Sequence, residues 1–336
     1  MDNIPTTRAA HVIGFCDILR EIGTPVDRQL ARANLPVLIE ETPDEMVSNI
    51  YATEFAARCA SVEGIQDLGW LGAQRFASSQ MSADLIAALR SAVTVKSRLE
   101  KFFALSKLED SHFRTGFGRI NGTVQVIGDM DLPASVQGRD ISDWLQVASL
   151  VETVRSVAGL DWCPERITFA SDMKVSEDAQ AAFPNTRFET GAAHTSILFP
   201  TDQLAISTGV HSDHEPPDIR HGAPAKRLDQ LRCLMRPYLR EAVMPINKAA
   251  DLIGTSRRSL QRQLQAEGIS YSGLIETIRF EMAAELLKNP DIRLIEVAHA
   301  VGFEDQSNFG RGFRRVAGIS PGRYRRGLSS GDIVRL

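Results

Sequence analysis

One pattern occurs twice in the C-terminal third of this chain, and it limits the possible fold more than any other feature. The stretch "INKAADLIGTSRRSLQRQLQAEGIS" at 246–270 is echoed by "LIEVAHAVGFEDQSNFGRGFRRVAGIS" at 294–320. Ala250 aligns with Ala298 and Gly254 with Gly302 at an offset of 48, Arg262 with Arg311 and Leu264 with Phe313 at 49, and "GIS" with "GIS" at 50. One or two inserted residues account for the drift. The small residue lets two helices cross closely, and the glycine four residues on supplies the turn between them. Ser256 and Asp305 are suitable N-caps for a second helix. Each unit, 246–267 and 294–316, therefore reads as helix, tight turn, helix. Helical hairpins with glycine turns are common, so one copy says little. Two in tandem, each with arginine on the outer face of its second helix, say much more. Leu264, Phe303, Phe309 and Phe313 are expected to face the core.

The segment between the copies is built to hold them apart. Residues 274–288 contain neither Pro nor Gly, and Leu274, Ile278, Met282 and Leu286 recur every four positions. A helix from Ser272 to Lys288 would be about 25 Å long at ~1.5 Å per residue. Successive major grooves on one face of duplex DNA are roughly 34 Å apart, so two helices on such a strut could enter adjacent grooves, with DNA bending taking up the mismatch.

Charge separates this region from the rest. The chain carries a formal −4, yet residues 226–326 hold 18 Lys+Arg against 11 Asp+Glu, a net of +7. Residues 1–225 hold 19 against 30, a net of −11. A basic segment on an acidic one implies that only one part meets a polyanion. The 336-residue length fits two domains. No window approaches a membrane span, and the N-terminus lacks the marks of a signal peptide. The four cysteines (Cys16, Cys59, Cys163, Cys233) are scattered, which fits reduced thiols in the cytoplasm.

The first two hundred residues read as a mixed α+β domain. Val12, Phe15, Leu19 and Ile22 form a helical stripe ending near Gly23, and Pro25 opens a short helix. Ser48 caps a helix that stops near Gly64, and two more helices are expected at 82–92 and 95–107. The period then changes: "SHFRTGFGRINGTVQVIGD" alternates on either side of Asn121-Gly122, a hairpin signal. A long helix follows at about 140–158, with short strands at 166–171, 186–189 and 195–199. Residues 205–225, rich in Pro, Gly, Ser and His, read as a linker. The organisation is thus 1–204, an α+β domain for effector binding or self-association; 205–225, the linker; and 226–328, an all-α domain.

The repeat, with "AADLIGTSRRSLQRQL", "GISYSGLIETIRFEMAAELLKNP", "VAHAVGFEDQSNFGRGFRR" and "GISPGRYR", resembles the double helix-turn-helix domain of AraC/XylS-type transcriptional regulators over about 228–326. The resemblance implies groove-facing positions at Arg258, Gln261 and Arg262 on the first recognition helix, and at Gln306, Ser307 and Arg311 on the second. Arginine can pair bidentately with guanine and glutamine with adenine. Arg257, Arg314 and Arg315 are expected to hold phosphates instead. The first 200 residues resemble the sensor domain of ornithine-utilisation-type regulators, through "ILREIGTPVDRQLARANLP", "GIQDLGWLGA", "AGLDWCPERITF" and "ILFPTDQL". That implies control by a small-molecule effector, with no pocket residues indicated. Activation is the commoner mode in the family, and RNA polymerase and a second copy of the chain are partners the resemblance implies.

Other constellations carry less. "GFGRING" (116–122) has the wrong spacing for a phosphate loop and no helix directly after it. His211, His214 and His221 lie in the linker with no accompanying ligand, so no metal and no cofactor is expected. No nucleophile motif occurs, and Trp70, Trp144 and Trp162 fit a core. The expectation is a cytoplasmic DNA-binding regulator, not an enzyme. The alternatives are a metabolite-converting enzyme with secondary DNA binding, or an architectural DNA binder without an effector.

Overall fold

A computed structural model of the chain describes residues 4–76, 80–120, 122–209 and 227–330. The chain divides into two compact units, Pro5–Ala225 and Lys226–Leu336, the latter taking in Met1–Ile4 as well. The first is mixed α and β, and in the second every described element is a helix.

In the N-terminal unit, β1 (Thr6–Arg8) pairs antiparallel with β2 (Met46–Ser48), and α1 (Ala10–Glu21) and α2 (Val26–Arg32) lie between them in sequence. Helix α3 (Asn49–Glu63) starts at Ser48, whose side chain accepts from the Tyr51 amide, and stops at Gly64 in the left-handed region. Next come α4 (Leu68–Arg75), α5 (Ala83–Arg90) and α6 (Val95–Glu109), the last opened by a Thr94–Ser97 capping box. The hairpin β3 (Phe113–Ile120) and β4 (Thr123–Met130) precedes the 20-residue α7 (Arg139–Ala158). The unit ends with β5 (Arg166–Thr168), α8 (Glu177–Ala182), β6 (Arg187–Glu189) and β7 (Ser196–Pro200). The five-stranded sheet runs β3-β4-β7-β5-β6, and only β5 and β6 pair in parallel. Helix α7 packs on this sheet. Its Trp144 lies 4.7 Å from Phe169 and 5.1 Å from Trp70, ring centre to ring centre, so Trp70 and Trp144 are core residues as expected.

Two expectations need correction, and one helix was not expected at all. Ile22 does not continue the α1 stripe: the helix ends at Glu21 and Ile22 is 53% exposed. Helix α4 has no clear helical signal, because Gly69 and Gly72 weaken one. A Cβ at Gly72 would come within 2.5 Å of the Phe15 ring, and one at Gly69 within 2.9 Å of the Ile141 backbone. Packing requires glycine here at the expense of helix propensity. The first residues of the expected 205–225 linker belong to the N-terminal unit: Val95 donates to the Ile206 carbonyl and Thr208 to that of Val93, each at 3.0 Å. The rest of that segment, with His211, His214 and His221, and also Asn121, lies outside the described residues.

The C-terminal unit comprises α9 (Arg227–Glu241), α10 (Ile246–Leu252), α11 (Arg257–Ala266), α12 (Tyr271–Leu286), α13 (Leu294–Ala300), α14 (Gln306–Ala317) and α15 (Pro321–Ser330). The 16 residues of α12 make a rod about 24 Å long. Leu274, Ile278 and Met282 are buried along it, and Arg236 of α9 pairs with its Glu285 at 2.5 Å. Phe313 of α14 stacks near Phe280 of α12, with ring centres 5.0 Å apart. Burying a ring such as Phe313 contributes about 1.5–3 kcal/mol.

Candidate nucleic-acid interface

The two repeat units fold alike. In the first, α10 buries Ala249 and Ala250, and the turn passes through Gly254 at φ +60°. Ser256 then caps α11 by accepting the Ser259 amide at 3.1 Å. In the second, α13 buries Val297 and Ala298, Gly302 turns at φ +79°, and Asp305 caps α14 by accepting the Asn308 amide at 2.7 Å. That amide holds the Asp305 carboxyl below the usual carboxylate range, so the cap stays ionised at the positive end of the helix. Gly302 has a second constraint: a Cβ there would lie 2.0 Å from the Leu239 carbonyl oxygen of α9. The Arg279 guanidinium donates to the Gly302 carbonyl at 3.0 Å and sits 4.8 Å from the centre of the Phe303 ring, locking the turn from the other side.

Each second helix has one buried side and one open side. Leu260 and Leu264 face inward on α11, and Phe309 and Phe313 on α14. A helix advances about 100° per residue, so positions four and seven apart return to one face. Arg258, Arg262 and Gln265 share the outer face of α11, and Ser307, Arg311 and Arg314 share that of α14; all six are exposed. Gln261 is exposed on the flank of the first line. Arg257 and Gln306, the first residues of their helices, are exposed at the N-terminal ends.

The charges differ in their surroundings. Arg257, Arg258, Arg262 and Arg314 have no ion-pair partner among the described residues. Arg311 donates to the Asn308 side-chain oxygen at 2.5 Å, a contact within its own helix, and has no ion-pair partner among the described residues, though its charge helps hold the Asp305 carboxyl down. Arg315 is different. It turns towards α12 and forms an ion pair with Glu276, so the expected phosphate contact begins from a paired cation. Arg314 shares the line of Ser307 and Arg311 and stands where Gln265 stands on α11, whereas Arg315 lies off that line. Gln265 went unnoticed in the sequence, although its spacing of seven from Arg258 marks the same face.

Among the described residues no group of three or more His, Cys, Asp or Glu is placed to hold a metal ion, and no helix is long and apolar enough to cross a membrane.

Comparison with known proteins places the family match on this unit. A family model described as a helix-turn-helix domain matches residues 249–327. The ornithine utilization regulator of Pseudomonas aeruginosa is 38% identical over 80 residues, which are 24% of this chain and 24% of that protein, so the chain spans about a quarter of that relative. The HTH-type transcriptional regulator VirS of Mycobacterium tuberculosis is 24% identical, but over 95% of this chain and 96% of its own. The transcriptional activator NphR of a Rhodococcus species is 30% identical over 30% of each chain. Two matching helix-turn-helix units joined by one rod, with a helix-turn-helix family match over 249–327, make the C-terminal unit a DNA-binding domain of the AraC type.

Proposed function

We propose that the chain is a sequence-specific transcription regulator that reads two successive major-groove segments of double-stranded DNA, with α11 in one and α14 in the next. The supporting observation is the matched pair of outer faces, Arg258–Arg262–Gln265 and Ser307–Arg311–Arg314, each opposite a buried apolar pair. Arg258, Gln261, Arg262, Gln306, Ser307 and Arg311 are the proposed base-reading residues, with Arg257, Arg314 and Arg315 on phosphates. The N-terminal unit supplies control by a small molecule. An acidic α+β unit larger than the DNA-binding one favours that reading over a purely architectural binder. The chain acts as an activator in the cytoplasm, engaging RNA polymerase and a second copy of itself. The printed names of relatives, a utilization regulator and an activator among them, support this reading.

Genome-wide footprinting of the full chain tests it, followed by titration of a recovered site at several salt concentrations. The expected result is protection of two segments about one helical turn apart, with log affinity falling linearly against log salt. Protection of a single short segment would leave one of the two helices without a role.

A further inference from the structure

The N-terminal unit contains a cavity of about 90 Å3 between α1, α3, α6, α7 and the start of the β3–β4 hairpin. A single water needs roughly 10–15 Å3 of such space, so there is room for a small organic molecule. Most of the wall is apolar, with the rings of Phe15, Phe76, Phe102 and Phe113 among it. The polar groups are unbalanced in sign. No lysine or arginine lines the cavity, whereas two acidic residues, Glu109 and Asp110, do.

These two carboxyls are not equivalent. Glu109 has its own cation: Arg8 donates to it at 2.8 Å, with His11 at 3.4 Å and the Ser82 amide at 2.9 Å. Asp110 has none within ion-pair distance among the described residues. It accepts from the Asn49 side-chain amide and from the His112 backbone, and is 5% exposed. Burial pushes its carboxyl up to about 7, against the hydrogen bonds from His112, Thr7 and Asn49. A second observation comes from α7. Gln146 lines the same cavity at 3% exposure; its side-chain nitrogen donates to Ser142 at 3.2 Å, while its side-chain oxygen has no partner. A buried acceptor left unpaired costs about 1–3 kcal/mol, which a donor on a ligand removes.

We propose that this cavity is the effector site and that it takes a compact ligand with an apolar body and a protonated amine, the amine held by Asp110 and a donor group of the ligand meeting the Gln146 oxygen. The proposal rests on the effector control proposed above and assigns its site and ligand class. Aromatic walls stabilise such a cation further. A ligand whose only charge is a carboxylate would meet two acidic residues and, on the basic side, only a histidine already turned to Glu109 among the described lining residues.

The test is calorimetry on the full chain with three molecules of one shape: cyclohexylmethylamine, cyclohexylmethanol and cyclohexanecarboxylate. The amine should bind about tenfold or more tightly than the alcohol, as a charge-assisted hydrogen bond in a buried site implies, and the carboxylate should not bind. Asp110→Asn should bring amine and alcohol to parity. Ala52→Leu, which fills the cavity without touching the acids, should weaken both. Equal binding of all three to the wild type, tighter binding of the carboxylate, or no binding of any would overturn the proposal, and none of these outcomes depends on a variant folding. DNA affinity measured with and without the amine reads the other claim. An amine that binds through Asp110 yet leaves DNA binding and transcription unchanged would refute effector control while the site stood.

Discussion

Arg311 and Arg315 lie one turn apart on α14 yet stand in different electrostatic surroundings. Arg311 is exposed on the side opposite Phe309 and Phe313, and it donates to Asn308 within its own helix. Its planar donor fork is free to meet a guanine edge, so Arg311→Ala should cost about 1–3 kcal/mol on the operator and relax preference at one base pair. Arg315 is two-thirds exposed and tied to Glu276. An exposed pair of this kind contributes only about 0–1 kcal/mol, so a phosphate can draw the arginine away. Arg315→Ala should therefore weaken all sequences alike and reduce the salt slope by about one. Glu276→Gln should act in the opposite direction, raising affinity for every sequence without altering preference. Titrating the three variants against an operator and a one-base-substituted operator, at two salt concentrations, checks this. If Arg315→Ala changed the ratio of the two affinities, Arg315 would be reading a base and the assignment of the α14 faces would be wrong.

At the scale of elements, Gly254 and Gly302 occupy the same place in the repeat but bear different constraints. Both are left-handed, at φ +60° and +79°, so alanine is strained by about 1–2 kcal/mol at either. Only Gly302 faces an obstacle, the Leu239 carbonyl, whereas nothing lies within 4 Å of a Cβ at Gly254. Gly302→Ala should destabilise the helical unit by about 3 kcal/mol or more, strain and overpacking together, and Gly254→Ala by strain alone. Amide hydrogen exchange in α14 of the full chain measures the difference; equal effects would mean that α9 moves aside. The same pair shows what a sequence reveals. The two glycines, the caps at Ser256 and Asp305 and the apolar pairs on α11 and α14 are local signals in consistent order, and α10 to α14 were legible from them. The obstacle at Gly302 is not local, since Leu239 is 63 residues away. The carboxylate on Arg315 comes from another helix for the same reason. Helix α4 and the short strands β1 and β2 escaped notice because close packing on Phe15 and Ile141, and one antiparallel pairing across 40 residues, define them rather than any periodicity. The cavity had no sequence signature at all: His11, Asn49, Asp110 and Gln146 meet only in the folded chain.

On the scale of the whole molecule, the −11 of residues 1–225 and the +7 of residues 226–326 give the two units separate responses to solution conditions. Salt acts on the basic unit through DNA. For the acidic unit the relevant variable is pH, because it buries two adjacent carboxyls whose shifts are opposed. Burial alone would raise the Glu109 carboxyl, but the His11 hydrogen bond and the charges of His11 and Arg8 outweigh it and hold the group at about 2. Its contribution is present above the unfolded value of 4.5 and is lost as pH falls towards 2. Asp110 is raised from 3.8 to about 7, so the folded unit keeps a proton that the unfolded chain has released. Its contribution is complete below 3.8 and is lost as pH rises through 7, at up to about 1.4 kcal/mol per pH unit. Asp143 and Glu152, also raised by burial, act in the same direction, and His112, lowered by burial, acts against them. A difference against Asp110→Asn removes these shared contributions, since asparagine imitates the protonated form at every pH. All three tryptophans of the chain, Trp70, Trp144 and Trp162, lie in Pro5–Ala225, so their fluorescence follows this unit alone. Between pH 5 and 8 the wild type should lose stability to urea relative to Asp110→Asn, with most of the loss complete by about pH 7. Parallel stability curves for the two proteins would place the Asp110 carboxylate in contact with water, and a cation would then have no buried charge to meet in the cavity.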